Sequence, residues 1–332
     1  MSRQHEILPS IGIIGGGVAG LVTAISLQDA GYDVHLYEKT EGLGKETCSW
    51  FAGGMIAPWC ERDGADDLVR DRGVESLSWW AHHYDGVQQQ GSLVLSAARD
   101  RSEILRFSRR TQQHETIDEA RIAALEPALA GRFREGLFYP KESHLDPRFA
   151  LPALEQHFLK AGGAVKRGYE VVADELKEDI IVDCRGFAAR DDLPRLRGVR
   201  GEMIRIHSAE VNFTRPVRLL HPRQPVYIVP RAHGVLMVGA TSIESDSHAP
   251  VTVRSAYDLL EAVQRLHPAL GEANIIEVSA GVRPAYPDNL PDIEQKGRVI
   301  YANGLYRHGF LLSPWCARKV VELIGKQEGK AA

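Results

Sequence analysis

Ser10-Ile11-Gly12-Ile13-Ile14 runs straight into Gly15-Gly16-Gly17-Val18-Ala19-Gly20, and residues 21–32 lead on to Asp33-Val34-His35-Leu36-Tyr37-Glu38. This stretch decides the fold. The first five residues are a short buried strand, and the next six fit G-x-G-x-x-G. Val18, Leu21, Val22 and Ile25 recur at the i, i+3, i+4, i+7 spacing that gives a helix one apolar stripe. Gly31 is placed to stop that helix, and a second strand ends at Glu38. Gly15 permits the tight turn, Gly17 lets backbone approach a pyrophosphate, and Gly20 lets helix and strand pack closely. The helix N-terminus turns free N–H groups toward the phosphates. Glu38, 18 residues beyond Gly20, is positioned to take both ribose hydroxyls, which favours NAD or FAD over NADP. A merely structural Gly-rich turn would not need the acid. The motif alone leaves NAD and FAD both open.

The rest of the composition narrows the class. The chain has 332 residues, 40 Lys+Arg, 44 Asp+Glu and a net charge of −4. That length suits two domains. With 44% apolar residues there is enough to bury, which excludes global disorder. No basic excess supplies a face for nucleic acid. Cys48, Cys60, Cys184 and Cys316 are too few for a disulfide scaffold and form no C-x-x-C pair, so no metal site is expected. Residues 11–27 are apolar or small apart from Thr23 and Ser26, but 17 residues fall short of the ~20 of a membrane span. The expected location is cytoplasmic, with no membrane span.

Outward from the nucleotide motif, no second G-x-G-x-x-G occurs. Asp146-Pro147 caps a helix running to about Lys160, stopped by Gly162-Gly163. Ile180-Ile181-Val182 is a buried strand leading to Cys184-Arg185-Gly186. Residues 202–206, 227–229 and 235–238 are strand-like. Ala256, Leu259, Leu260 and Val263 mark one further helix, and Ala317, Val320, Val321 and Ile324 another. His82-His83 lacks metal-ligand company and reads as a solvated helix face. Ser residues show no G-x-S-x-G elbow, which sets a hydrolase aside. The expected fold is α/β plus α+β: a Rossmann-like dinucleotide domain of 1–83, 140–200 and 276–330, interrupted by a mixed β-sheet substrate domain of 84–139 and 201–275.

Four further segments point one way. They are Glu46-Thr47-Cys48-Ser49-Trp50-Phe51-Ala52-Gly53-Gly54-Met55; Tyr227-Ile228-Val229-Pro230-Arg231 with Val238-Gly239-Ala240-Thr241; Ala280-Gly281-Val282-Arg283-Pro284; and Asn303-Gly304-Leu305-Tyr306-Arg307-His308-Gly309-Phe310-Leu311-Leu312-Ser313-Pro314. In order and spacing the chain resembles the D-amino-acid oxidase superfamily of FAD enzymes, and within it the glycine oxidases of bacterial thiamine biosynthesis. The resemblance implies a glutathione-reductase-type FAD domain, FAD bound non-covalently, a small amino-acid substrate oxidised to its imine, and O2 returning as hydrogen peroxide. It implies thiazole synthase as a partner for the unstable imine, and a homo-oligomer.

Residue by residue, Arg283 matches the arginine that holds the substrate carboxylate, for which a planar guanidinium fork is suited; a lone surface ion pair is the bland alternative. Tyr227 matches the tyrosine that shares carboxylate binding, rather than a plain core tyrosine. Arg307 matches an arginine at the amine end of the substrate, and Met55 lines the pocket near the reacting carbon. Thr47, Ser49, Gly53 and Gly54 match the loop under the flavin ring. Lys39 follows the ribose acid, and Val171 matches a backbone contact to adenine. Gly186 lets backbone approach the cofactor, and His308, Gly309, Phe310, Leu311 and Leu312 open a helix whose N–H groups face negative charge on reduced flavin. Ser242 stands where the best-known relatives have Met, His308 where they have Asn, and Glu294 where they have Gly. No acid–base residue stands out. The competing readings are a D-amino-acid or secondary-amine dehydrogenase feeding a quinone, and a nucleotide-binding protein without catalysis.

Overall fold

Apolar runs flanked by glycine place the first sheet. In the computed structural model, which describes residues 8–42, 44, 46–223, 225–327 and 329, Ser10–Ile14 pairs in parallel with Asp33–Glu38 on one side and Ile180–Asp183 on the other. Ala164–Arg167 lies outside Asp33–Glu38, and Val299–Asn303 outside Ile180–Asp183, with Asp292–Lys296 antiparallel at that edge. Ile11, Ile13, Val34, Leu36 and Val182 are buried, as strands covered on both faces must be. The helices Val18–Asp29, Pro147–Lys160, Asp67–His83 and Gly309–Gln327 provide that cover. Asp146 accepts the Arg148 N–H at the start of its helix, satisfying a donor that no helical carbonyl can reach. Trp80, fully buried, ties two helices by donating from Nε1 to the Phe310 carbonyl at 2.7 Å.

The second sheet runs Ile243–Glu244, Arg197–His207, Val235–Gly239, Val226–Pro230, Val217–Leu220, Ser92–Ser96, Glu135–Tyr139 and Glu115–Asp118, with Asn274–Ala285 also on Arg197–His207. Its pairs are antiparallel except Val217–Leu220 on Ser92–Ser96. The helix Val253–Leu266 packs Leu259, Val263 and Leu266 against Ile204, Ile206, Ile228, Leu236 and Val238. Each such residue contributes roughly 1.5–3 kcal/mol on burial. The boundaries drawn from sequence at 200/201 and 275/276 fall inside Arg197–His207 and Asn274–Ala285, both strands of this sheet. Arg197, Arg200 and Gly201 interrupt the apolar pattern that would have shown the earlier start. Residues 1–7, 43, 45, 224, 328 and 330 of the expected domains lie outside the described residues.

His83 is not solvated. It stacks on Trp79 and bonds the Trp79 carbonyl and Asp29 Oδ2, each at 2.8 Å, while His82 is exposed. No helix among the described residues is long and apolar enough to cross a membrane, and none of their acidic, His or Cys side chains gather as a metal site.

Candidate active site

At the C-terminal end of the parallel sheet the chain turns sharply. Gly15 has φ +105°, and its N–H donates to the Tyr37 carbonyl at 2.8 Å. A Cβ on Gly20 would lie 1.8 Å from the Gly15 carbonyl oxygen, so this helix can only leave the turn with glycine there. Gly17 begins the helix without a side-chain cap. A Cβ at Gly17 would meet only Ser49 Oγ, at 3.3 Å, and that hydroxyl accepts the Val18 N–H at 3.1 Å. Glu38 is buried. Its Oε2 accepts the Gly16 N–H at 2.6 Å, and its Oε1 accepts from the Thr40 N–H and hydroxyl at 3.0 and 2.9 Å. A carboxylate has about four acceptor positions, so capacity remains for ribose hydroxyls.

The segment after Ala164–Arg167 returns to this edge. Gly168 N–H donates to the Thr40 carbonyl and Tyr169 N–H to the Glu38 carbonyl, at 3.3 and 3.2 Å. That brings Val171 to pack with Ile14, Tyr37 and Leu176, while Lys39, next after Glu38, is exposed. Gly186 has φ +60°, and its carbonyl accepts from Asn303 Nδ2 at 2.9 Å. The Gly309–Gln327 helix starts so close to the first helix that a Cβ on Gly309 would stand 3.5 Å from Val18. Two helix starts thus converge beside a buried carboxylate and an open glycine turn. These residues fit a dinucleotide with its pyrophosphate at the first helix.

The loop of residues 47–55 passes from this edge to the second sheet. Thr47 turns its hydroxyl to the Gly44 carbonyl at 3.3 Å. Gly53 accommodates the Tyr227 ring: a Cβ there would lie 2.7 Å from Cε2. Met55 packs with Phe51, Met203, Val229, Met237 and Tyr227. Arg283 extends over Gly201, where a Cβ would meet its Nη2 at 2.0 Å, and its Nη1 donates to the Thr241 carbonyl at 3.2 Å. Burial pushes the Tyr227 phenol up, while Arg283 and Arg307 pull it back and Glu61 opposes them. Tyr227, Arg283 and Arg307 are therefore within one electrostatic neighbourhood. Phe310, Leu311 and Leu312 are buried at the start of the last helix.

Glu61, Arg218 and a role for Arg231 were not singled out from sequence. Glu61 Oε1 accepts from Arg218 Nη2 at 3.0 Å, and its Oε2 faces Arg307 Nη2 at 2.9 Å and His308 Nδ1 at 3.4 Å. Burial raises the Glu61 carboxyl, but Arg307, Arg218 and His308 outweigh it and hold it at about 2. Burial pushes His308 down to about 3, which makes it a neutral imidazole. Arg231, also buried, donates to the Leu145 and Gly53 carbonyls at 3.0 and 2.8 Å and so ties down the loop. Burial lowers it to about 10, still a cation at neutral pH. Arg231 lay in a quoted motif without a role. Glu61 and Arg218 showed no motif, only a charge bordering an apolar run.

A family model described as FAD dependent oxidoreductase, DAO, matches residues 10–323. A protein of Rhizobium etli, provisionally named thiamine biosynthesis oxidoreductase ThiO, is 50% identical over 317 residues, 95% of this chain and 96% of that one. The bifunctional protein ThiO/ThiG of Synechocystis is 27% identical, with 95% of this chain matched to 51% of that protein. The solved glycine oxidase from Bacillus cereus has the same fold, with a TM-score of 0.80 over 98% of each chain at 21% identity. The match across both sheets, and a relative identical at half its positions, show that the chain belongs to the DAO family of FAD-dependent oxidoreductases.

Proposed function

We propose that the chain oxidises glycine, or another small amino acid or secondary amine, to its imine, with O2 taking the electrons and leaving as hydrogen peroxide. The observation that carries this is the cluster of Arg283, Arg307 and Tyr227 next to the residue 47–55 loop. Arg283 is the fork for a carboxylate. Tyr227, kept protonated, is a donor beside it. FAD, when bound non-covalently, supplies the acceptor for the hydride that leaves the substrate α-carbon. Hydride loss requires a neutral amine. Arg307 and Arg218 flank the single Glu61 carboxylate, and Arg283 shares the Tyr227 neighbourhood with them; that positive balance favours release of the ammonium proton to water. Met55, Met203 and Met237 keep that side of the space apolar, which suits a small substrate held face to face with the acceptor.

Likeness to ThiO and to glycine oxidases supports iminoglycine as the product, made for the thiazole of thiamine. A relative named for both ThiO and ThiG on one chain supports handing the imine to thiazole synthase. The test is the visible spectrum of purified holoenzyme, followed by anaerobic glycine and then air. Bleaching, recovery in air and peroxide are the expected results. Bleaching that only a dye or quinone reverses would reassign the acceptor. Flavin that ignores glycine, sarcosine, D-alanine and D-proline would refute the substrate class.

A further inference from the structure

Behind Glu61 lies a layer of buried polar groups that the reaction above does not use. Glu142, fully buried, follows Glu135–Tyr139, and its Oε1 accepts the Cys60 N–H at 2.7 Å. Cys60 and Glu61 belong to the short helix Pro58–Glu61. From the other side, Arg218 donates to the Cys60 carbonyl and to Glu61 Oε1, each at 3.0 Å. One turn of chain is thus gripped by a carboxyl at its N–H and a guanidinium at its carbonyl, and that turn carries Glu61. A cavity of about 10 Å³ lined by Met55, Cys60, Glu61, Ser92, Pro216, Arg218 and Tyr227 borders this turn. It has room for about one water. Glu142 Oε2 and Ser92 Oγ, both buried, have no aligned hydrogen bond within the protein.

We propose that Glu142 is a positioning residue for the substrate end of the site: in its neutral form it leaves Arg218 to Glu61, and so fixes where Glu61 holds the Arg307 guanidinium. The inference rests on the reading of Arg283 and Arg307 as carboxylate-binding. Burial raises the Glu142 carboxyl to about 7, although the Cys60 N–H, Ser92 and Arg218 oppose this. The groups facing it are Cys60 from the short helix, Ser92 and Arg218 from their strands, and Tyr139 from the preceding strand. Of these only Arg218 is a cation. As pH rises through neutrality, ionised Glu142 competes with Glu61 for Arg218 and adds negative charge behind the carboxylate site. Both effects weaken binding of an anion.

The test titrates holoenzyme with acetate, followed through the flavin spectrum between pH 6 and 8.5, in wild type, Glu142→Gln and Glu142→Leu. Glutamine keeps the acceptor for Cys60 and cannot ionise; leucine loses the acceptor. In wild type the acetate Kd is expected to rise about 3- to 10-fold across neutrality, beyond any change in Glu142→Gln, which stays flat. Glu142→Leu is expected to bind weakly throughout. Infrared difference spectra of wild type against Glu142→Gln should show a protonated carboxyl band that disappears over the same interval. The same acetate profile in wild type and Glu142→Gln, or a carboxyl band that does not titrate, overturns the inference alone. Acetate that fails to bind wild type at any pH overturns the carboxylate-site reading and this positioning role with it.

Discussion

Glu61→Gln removes the carboxylate that Arg218 and Arg307 share. Burial alone would raise this carboxyl, yet the arginines hold it at about 2 against an ordinary 4.5. That difference is worth about 3 kcal/mol in favour of the ionised form when folded. Because the folded value is depressed, the stabilisation is fully present above pH 4.5 and is lost as pH falls through about 2. The variant leaves buried Arg218 without its countercharge, and breaking a buried pair on one side costs about 3–5 kcal/mol. Urea unfolding of holoenzyme at pH 7 should therefore show Glu61→Gln less stable than wild type by about 3 kcal/mol. The gap should narrow between pH 4.5 and 2, where the wild-type carboxyl takes up its proton. Arg307 also loses the oxygen that fixes its Nη2, so the amino-acid KM should rise while FAD stays bound. Equal unfolding at pH 7, or a gap indifferent to pH down to 2.5, would refute the argument that this charge stabilises the fold.

Three other substitutions separate the parts of the site. Gly17→Val has space in the protein itself, since a Cβ meets only Ser49 Oγ; it should fold, with unchanged far-ultraviolet circular dichroism, and emerge from gel filtration without flavin absorbance. Arg283→Ala should retain FAD but raise the amino-acid KM by about 10- to 100-fold, the worth of a charged hydrogen-bonded pair, and an unchanged steady-state KM would remove it from the carboxylate site. Arg231→Met strips the donor from the Gly53 and Leu145 carbonyls; calorimetry should show a loss of roughly 2–4 kcal/mol for two buried acceptors left unpaired, together with weaker FAD retention.

The nucleotide half of the fold was legible because its partners are close in the chain. The turn at Gly15, the stripe from Val18 to Ile25 and the acid at Glu38 all lie within one βαβ unit, so spacing alone encodes their contacts. Asn274–Ala285 was not legible as a strand. Its Ile275, Ile276 and Val278 are apolar and yet exposed, and Gly281 and Arg283 follow, so neither alternation nor a buried run marks it. It was visible only as a Gly-x-Arg-Pro motif, which located the arginine without the strand that carries it.

The same limit explains Glu61. Its meaning comes from Arg218, 157 residues away, and from Arg307, and nothing local in Pro58-Trp59-Cys60-Glu61 announces a charge destined for burial. Arg200 and Glu202 make the point from the other side. Two residues apart in a strand, they share a face, and Arg-x-Glu there resembles a solvated pair. In the fold both are buried, Glu202 Oε2 accepts from the Thr241 hydroxyl at 3.1 Å, and the Thr241 carbonyl accepts from Arg283. The arginine that the motif picked out is therefore held by a carboxylate chain that no motif includes. A motif picks out a residue; the charges that orient it are fixed by sheet register, and register appears only once the strands have paired.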